Sequence, residues 1–335
     1  MTAADSSDPA QGAPGDAGEL RATLSDLNER YGIGQTVRFV AGPGGIPQAE
    51  LRRPGGDGAA ASVSLLGATV TGYQPAGGAP VLFVSPNSAH EPGKPIRGGI
   101  PVCWPWFGPH PSDPTLPSHG FVRSLLWSVE ETETVEHDGP DAPAGEAPYT
   151  LLALRLTDSD ETRRIWPYYF AVRLTVRLGA DLDVTLEAEH TGDEADPPLV
   201  CSGALHSYLA VGDATRISLT GLEDTRYIDK AGGGDTRDQQ GAITISAETD
   251  RIYLDTAGPV TVDDPALGRR LVVSKGGSRT TVVWNPWIDR ARAVPDLEDD
   301  DYRRFVCVEA VNTLQDSVTL EPGESHSLRT TLAVG

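Results

Sequence analysis

The sequence predicts an all-β protein: a large antiparallel β-sandwich with one amino-terminal helix and few short helices. Two observations favour this class. Short segments in which apolar and polar residues alternate follow one another through most of the chain, and turn-forming Gly, Pro, Asn and Asp residues separate them. No unit of about 20–50 residues repeats along the chain, which disfavours propellers and solenoids. We therefore expect one continuous sandwich.

The chain begins with a segment that is too polar for a core. Residues 1–18 are mainly small, acidic, Gly or Pro residues, which bury little apolar area, so we expect a disordered acidic tail. From Glu19 onward, apolar residues recur at helical spacing and stop before Gly32, a residue type that commonly ends helices. These apolar residues are Leu20, Leu24, Leu27 and Tyr31. They predict one amphipathic helix.

A β-hairpin gives the clearest strand signal. Apolar and polar residues alternate over residues 172–178 and 184–188, with Gly179-Ala180-Asp181 between them, and we expect the polar residues to face outward. The other predicted strands cover residues 62–66, 81–85, 151–156, 199–211, 243–246, 251–255, 271–274, 280–284, 305–310 and 325–331. An acidic, Pro- and Gly-rich stretch at 137–148 has strand patterns on both sides. We interpret it as a surface loop within a single domain of residues 19–334.

Charge and cysteine content exclude several classes of protein. The chain has 27 Lys and Arg residues against 48 Asp and Glu residues, a net charge of −21, and a field of this sign repels nucleic acids and anionic lipids. It has no apolar run of about 18 residues, and its first 25 residues lack the basic start and apolar stretch of a secretory leader, so we expect neither a membrane span nor a leader. Its three cysteines form no CxxC pair, so a disulfide framework or thiolate zinc site is not expected. We expect a soluble, cytoplasmic protein that binds neither nucleic acid nor membranes.

Two ionisable residues lie in segments that otherwise suit burial. Glu309 interrupts an apolar run, and burial would raise the pKa of its carboxyl toward the value that a general base needs near pH 7. His206 lies among apolar neighbours in another predicted strand, and an acid and a base from distant strands can act on both sides of a substrate. Each residue also has a structural alternative. Glu309 could form an ion pair with an interior arginine, and His206 could be a hydrogen-bonded histidine of the core. A metal site formed by His110, His119, His206 and Glu309 is a further alternative, although no two of them have ligand spacing.

Two arginines in a glycine-rich region form a second candidate feature. Between His90 and Arg123 the charged residues are mainly basic, against the acidic background of the chain. Arg97 precedes Gly98-Gly99, where the absence of side chains would let a ligand approach the backbone, and Arg123 follows His119-Gly120. Guanidinium groups of this kind suit a phosphate or a carboxylate. Alternatively, both arginines are structural and bind loop carbonyls or acidic strands.

Several motifs resemble, in content and in their order along the chain, those of the glucose-6-phosphate 1-epimerase family. Its members are the hexose-6-phosphate mutarotases of the aldose 1-epimerase superfamily. The resemblance begins near Arg30 and covers nearly all of the chain after it. The matching segments are IRGGIPVCWPWFG at 96–108, HGFVR at 119–123, LHSY at 205–208, DRIY at 250–253, WNPW at 284–287 and VCVEAVN at 306–312. The first and last segments are the most specific.

The resemblance implies a β-supersandwich with a sugar bound on one exposed face. By position, His206 resembles the family's catalytic acid and Glu309 its catalytic base. Arg97 and Arg123 resemble its phosphate- and substrate-binding arginines, and Asp250 resembles a carboxylate that binds sugar hydroxyls.

The resemblance also implies two substrate contacts beside Arg123. His119 matches a second active-site histidine of the superfamily. Ser118 is counted among the substrate-binding residues, but it stands where many relatives have a glutamine before the His-Gly pair, so the resemblance does not extend to that glutamine's contact with the sugar.

The implied activity is interconversion of the α and β anomers of hexose 6-phosphates, with glucose 6-phosphate as the expected substrate. Glu309 would remove the proton of the anomeric hydroxyl while His206 protonates the ring oxygen, and reclosure on the other face of C1 would give the opposite anomer. No metal or cofactor is implied, and we expect a monomer whose partner is a small-molecule sugar phosphate. The alternatives are an aldose 1-epimerase for unphosphorylated hexoses, a carbohydrate-binding protein without activity, and a metal-binding β-barrel.

Overall fold

Short strands make up most of the regular secondary structure in this computed structural model, which describes residues 16–136 and 147–335, and they confirm the all-β prediction. The α-helices are α1 (Asp16–Tyr31), α2 (Asp160–Ile165) and α3 (Trp287–Ala293), and short 3-10 helices cover Pro43–Gly45, Val122–Ser124, Ala214–Arg216, Asp301–Arg303 and Leu314–Asp316. The strands are β1 (Val37–Ala41), β2 (Pro47–Arg52), β3 (Ala60–Ser64), β4 (Thr69–Gln74), β5 (Val102–Cys103), β6 (Ser128–Val135), β7 (Tyr149–Thr157), β8 (Phe170–Leu178), β9 (Leu182–His190), β10 (Leu199–Cys201), β11 (Gly203–Leu205), β12 (Tyr208–Ala210), β13 (Ser218–Thr220), β14 (Arg226–Asp229), β15 (Asp235–Asp238), β16 (Thr249–Tyr253), β17 (Val260–Asp264), β18 (Arg269–Gly276), β19 (Thr280–Asn285), β20 (Phe305–Asn312), β21 (Val318–Leu320) and β22 (Ser325–Val334). No helix in the described ranges combines the length and apolar character needed to cross a membrane.

Two large sheets face each other across one core. Sheet I has the strand order β13-β17-β18-β22-β9-β8-β7-β6, and sheet II has the order β15-β14-β16-β19-β20-β11-β5, with β12 also paired to β20. Strands β1 to β4 form a smaller sheet in chain order, and β10 pairs with β21. Apolar residues from both large sheets belong to the same core cluster. This is the predicted sandwich.

The predicted hairpin is formed by β8 and β9 in sheet I. Leu174 pairs with Leu186, and both are buried, whereas the neighbouring pair of Arg173 and Glu187 points to the outside. Because successive side chains in a strand alternate between two faces, this register puts the apolar residues in the core and the charged residues outside, as predicted. Each buried Val or Leu contributes about 1.5–3 kcal/mol to stability.

Strand β20 explains how a carboxylate comes to lie inside the protein. All 8 of its residues are buried. Val306, Val308 and Ala310 face the core between sheets I and II. The alternating residues Cys307 and Glu309 therefore lie on the opposite face of sheet II, beneath the segments that cover that face.

The amino-terminal boundary differs from the prediction. Helix α1 begins at Asp16, so the last part of the predicted tail, residues 16–18, is helical. The predicted tail was too long because residues 16–18, Asp, Ala and Gly, contain no large apolar residue that would extend the helical periodicity. Residues 1–15 lie outside the described residues, as do residues 137–146 of the predicted loop.

Two predicted strands, 81–85 and 243–246, are wrong, since each forms only isolated bridges. In the first, Val84 bridges to Gly98, whose φ of 112° turns the partner segment away from a regular ladder. The second follows Gly241, whose φ of 61° ends the extended conformation.

The predicted strand 199–211 is divided into β10, β11 and β12. The breaks occur where backbone amides bond outside the regular ladder. Ser202 N donates to Pro105 O at 2.9 Å, and His206 N donates to Pro101 O at 3.1 Å.

Candidate active site

The break between β11 and β12 places two of the predicted residues side by side. Both strands pair with β20 in one register, and that register puts His206 opposite Glu309. His206 Nε2 lies 3.4 Å from Glu309 Oε1, and the two side chains are 9% and 1% exposed. Neither His206 Nδ1 nor Glu309 Oε2 has a hydrogen-bond partner among the described residues. The structure thus joins an imidazole and a carboxyl group that are far apart in the sequence.

Burial shifts the two pKa values of this pair in opposite directions. It raises the pKa of the Glu309 carboxyl well above its usual value; Asp250 raises it further and Lys230 lowers it. Burial lowers the pKa of the His206 imidazole well below its usual value, and nearby basic side chains lower it further. These side chains are His119, Arg123 and Arg97. Burial thus favours the uncharged forms of both groups, a protonated carboxyl beside a neutral imidazole, and in this form the pair holds one proton, on the carboxyl.

The pair lines a cavity of about 370 Å³ on the face of sheet II that points away from sheet I. This volume lies within the range of about 300–1,000 Å³ that is typical of small-molecule sites. Every site residue predicted from the sequence lines it. These residues are Arg97, Ser118, His119, Arg123, His206, Asp250 and Glu309.

Arg97 is held at the cavity by two side chains. Its Nε donates to Asp296 Oδ1 at 3.0 Å and its Nη1 donates to Tyr208 Oη at 3.1 Å. The Tyr208 ring stacks on the His206 imidazole, with centroids 4.6 Å apart and 11° between the planes. Arg97 therefore binds an acidic residue, as we expected if the arginines were structural, and it also lines the cavity.

Arg123 and His119 are oriented by the backbone around them. Arg123 Nη2 donates to Ser118 O at 2.6 Å. Gly108 N donates to His119 Nδ1 at 3.3 Å, and burial, aided by Arg123, lowers the pKa of His119 to about 3. His119 is thus a neutral imidazole with its proton on Nε2, which makes it a hydrogen-bond donor.

Asp250 supplies a carboxylate on the strand next to β19. It pairs with Trp284 in the ladder between β16 and β19, and Lys230 Nζ lies 3.9 Å from its Oδ2. Burial raises the pKa of Asp250, whereas Lys230 and Arg290 lower it. The cavity therefore contains two carboxyl groups with raised pKa values, of which only Glu309 contacts the imidazole of His206.

The glycines beside these residues have a different role from the expected one. A Cβ atom on Gly98 or Gly99 would lie 2.3 or 2.1 Å from a backbone oxygen of a neighbouring segment, and one on Gly120 would lie 1.9 Å from Trp104 O. The expectation that Gly98 and Gly99 open the backbone to a ligand is wrong, because protein backbone occupies that space. The close approach instead fixes the loops that carry the cavity residues.

The residues of the metal-site alternative do not form one group. His110 Nδ1 accepts hydrogen bonds from the amides of Ser112 and Asp113, and the ring packs against Trp106. Within residues 16–136 and 147–335, no three His, Cys, Asp or Glu side chains are arranged to hold a metal ion.

Sequence reasoning missed further residues of the cavity wall, among them Tyr208, Lys230, Glu248, Trp284 and Arg290. Tyr208 and Trp284 lie within the LHSY and WNPW segments, so those segments offered a signal for them. The three charged residues belong to no motif, and the pairing of β14 with β16 and the position of α3 bring them to the cavity.

Comparisons with known proteins agree with this geometry. Residues 50–333, more than half of the chain, match the model of the aldose 1-epimerase family. A provisionally named glucose-6-phosphate 1-epimerase of Cenchrus ciliaris is 33% identical over 299 residues, which cover 89% of this chain and 87% of the relative. A protein of the same provisional name from Escherichia coli K12 is 37% identical over 252 residues, which cover 74% of this chain and 78% of the relative.

Solved structures share the fold. The crystal structure of a provisionally named mutarotase from Salmonella typhimurium matches with a TM-score of 0.79 at 29% identity, covering 91% of this chain and 95% of that one. A galactose 1-epimerase from Lactobacillus acidophilus matches with a TM-score of 0.65 at 15% identity, covering 90% of this chain and 99% of that one. At this lower identity the likeness concerns the fold alone.

Proposed function

The chain belongs to the aldose 1-epimerase family, and from that premise we propose that it is an isomerase that interconverts the α and β anomers of hexose 6-phosphates, with glucose 6-phosphate as its substrate. One observation carries the proposal. Buried Glu309 and His206 lie 3.4 Å apart in a cavity that Arg97 and Arg123 also line. A protein that only binds sugars needs partners for hydroxyl groups, but it does not need an acid matched to a base.

The pair performs the two proton transfers of ring opening. The Glu309 carboxylate takes the proton of the anomeric hydroxyl while the His206 imidazolium gives its proton to the ring oxygen, the bond between C1 and that oxygen breaks, and the aldehyde forms. Both sugar oxygens are attached to C1, so two groups at this separation can reach them together. Rotation about the C1–C2 bond and the reverse transfers then produce the other anomer. Neither a metal nor a cofactor takes part.

The arginines bind the 6-phosphate. A phosphate dianion that approaches a protein of net charge −21 needs a local cationic site, and Arg97 and Arg123 supply two guanidinium groups at the cavity. Asp250 accepts hydrogen bonds from sugar hydroxyls, His119 donates from Nε2, and Ser118 contributes its hydroxyl at the exposed edge.

The direct test dissolves pure α-glucose 6-phosphate and follows both anomers by NMR with and without the protein, after subtraction of spontaneous exchange. We expect the protein to accelerate equilibration, and to do so more for glucose 6-phosphate than for glucose. No acceleration of either sugar would overturn the proposed activity. Equal acceleration of both would overturn the phosphate assignment and favour an aldose 1-epimerase for unphosphorylated sugars.

We further propose that the enzyme acts in the cytoplasm as a monomer and without nucleic acid or membrane partners. The strongly acidic net charge of −21 supports the absence of nucleic-acid and anionic-membrane partners. Light scattering on the eluting protein should give the mass of one chain, 35.5 kDa. Twice that mass would contradict the monomer.

A further inference from the structure

A continuous series of contacts links the phosphate-binding side of the cavity to the acid. Arg97 binds Tyr208 at 3.1 Å, Tyr208 stacks on His206 at 4.6 Å, and His206 lies 3.4 Å from Glu309. Tyr208 is 2% exposed, so this contact is shielded from solvent. A change of charge at Arg97 is therefore felt at His206 with little screening.

Arg123 leaves a positive charge uncompensated beside the pair. Its guanidinium donates to a carbonyl oxygen, that of Ser118, and forms no ion pair with any carboxylate in the described ranges. Arg97, in contrast, pairs with Asp296. Positive charge near His206 disfavours the imidazolium form that protonates the ring oxygen.

The other groups around the pair do not compensate this charge. They come from every element that packs there and, in the described part of the chain, contain four cations against three carboxylates besides Glu309. The cations are Arg97, Arg123, Lys230 and Arg290, the carboxylates are Glu248, Asp250 and Asp296, and the other titratable groups are Cys103, His119, Tyr208 and Cys307. Asp250 is close to Lys230, so its charge is already balanced.

We propose that an anion bound by Arg97 and Arg123 moves the single proton of the Glu309–His206 pair from the carboxyl to the imidazole, so that the substrate's phosphate activates the acid as well as anchoring the sugar. In this step the O–H bond at Glu309 Oε1 breaks and an N–H bond forms at His206 Nε2, and the number of bound protons stays the same. The anion acts by compensating the guanidinium charges. This inference rests on the proposed function.

The proposal predicts that an inorganic anion activates the enzyme toward a sugar that lacks phosphate. We expect inorganic phosphite, added to α-glucose and followed by NMR, to raise kcat/KM for glucose by about 5- to 150-fold, the usual size of coupling between two bound ligands. Exchange catalysed by phosphite alone is subtracted. Arg123→Ala should abolish the activation. Arg270→Ala, which removes an exposed arginine paired with Asp263 in sheet I, should retain it.

Infrared spectroscopy reports the proton itself. The band of the protonated Glu309 carboxyl, assigned by its loss in Glu309→Gln, should weaken when phosphite is added. In Arg123→Ala, which removes the uncompensated charge itself, the band should already be weaker without phosphite, and phosphite should not change it. Competitive inhibition of glucose 6-phosphate turnover by phosphite shows that the anion occupies the arginine site, and its absence would contradict the proposal.

The outcomes separate this proposal from the proposed function. If glucose 6-phosphate is interconverted but phosphite leaves both the glucose rate and the infrared band unchanged, the proton-transfer proposal is wrong and the enzymatic activity stands. Activation without a change in the band also contradicts it, because the anion would then act without moving the proton. If glucose 6-phosphate is not interconverted at all, the proposed function itself fails.

Discussion

Replacing Glu309 with glutamine should remove the base of the reaction while the fold is retained. Glutamine has nearly the same shape as glutamate, and Glu309 is 1% exposed within a fully buried strand, so the amide fits the same space. The amide cannot accept the proton of the anomeric hydroxyl. We therefore expect the loss in kcat rather than in KM.

The expected loss is large because no other group stands in the same position. A positioned general base contributes about 10²–10⁴-fold, which corresponds to about 2.7–5.5 kcal/mol of transition-state stabilisation. Among the described residues, His206 alone forms an ion pair with Glu309. Of the other carboxylates of the cavity, Asp250 lies beside Lys230 and Glu248 is exposed. We expect a loss of about 10³-fold or more.

The assay follows the anomers of glucose 6-phosphate by NMR at several substrate concentrations, so that kcat and KM are separated. Glu248→Gln is the matched control, because it removes an exposed carboxylate from the same cavity without touching His206. Its rate should stay near that of the unmodified protein. A folded Glu309→Gln protein with the unmodified kcat would refute the assignment of Glu309 as the base.

Three further predictions concern pH, phosphate binding and the fold. The profile of kcat/KM against pH should be bell-shaped, because activity needs one proton on the pair. The rate should decline at pH values below the lowered pKa of His206 and at pH values above the raised pKa of Glu309. A pH titration without an alkaline decline would contradict this. Arg97→Ala should raise KM for glucose 6-phosphate about 10- to 100-fold by removing charge-assisted hydrogen bonds, and steady-state kinetics showing the same effect on glucose would contradict phosphate binding. In urea denaturation, Gly120→Ala should lower the free energy of unfolding by about 3 kcal/mol or more, because the added Cβ would meet a backbone oxygen. Gly108→Ala has open space around its Cβ and should lower the free energy of unfolding by about 1 kcal/mol, from backbone strain alone. Equal losses in the two variants would contradict the packing argument.

Local patterns predicted the parts of the fold that depend on local properties. The β8–β9 hairpin was predicted because the face of each side chain follows from its position in the strand. The break between β11 and β12 was not, because it depends on a hydrogen bond from His206 N to Pro101 O, a residue in a remote segment. The same limit applies to residues 81–85, where the conformation of Gly98 in another segment prevents a regular ladder.

The candidate site was predictable in its members and not in its geometry. A carboxylate in an apolar strand and a histidine in another are visible in the sequence, but their contact depends on the register between β11, β12 and β20. Lys230 and Arg290 belong to no motif and reach the cavity through tertiary structure alone. The support that Asp296 gives to Arg97 likewise joins residues that no sequence spacing relates.

The most direct test of the account is a crystal structure of the protein with glucose 6-phosphate bound. We expect one Glu309 oxygen within about 2.6–3.2 Å of the anomeric oxygen, His206 Nε2 at a similar distance from the ring oxygen, and the phosphate on the two arginines. A sugar whose C1 lies away from both side chains, or whose phosphate lies on other residues, would contradict the account.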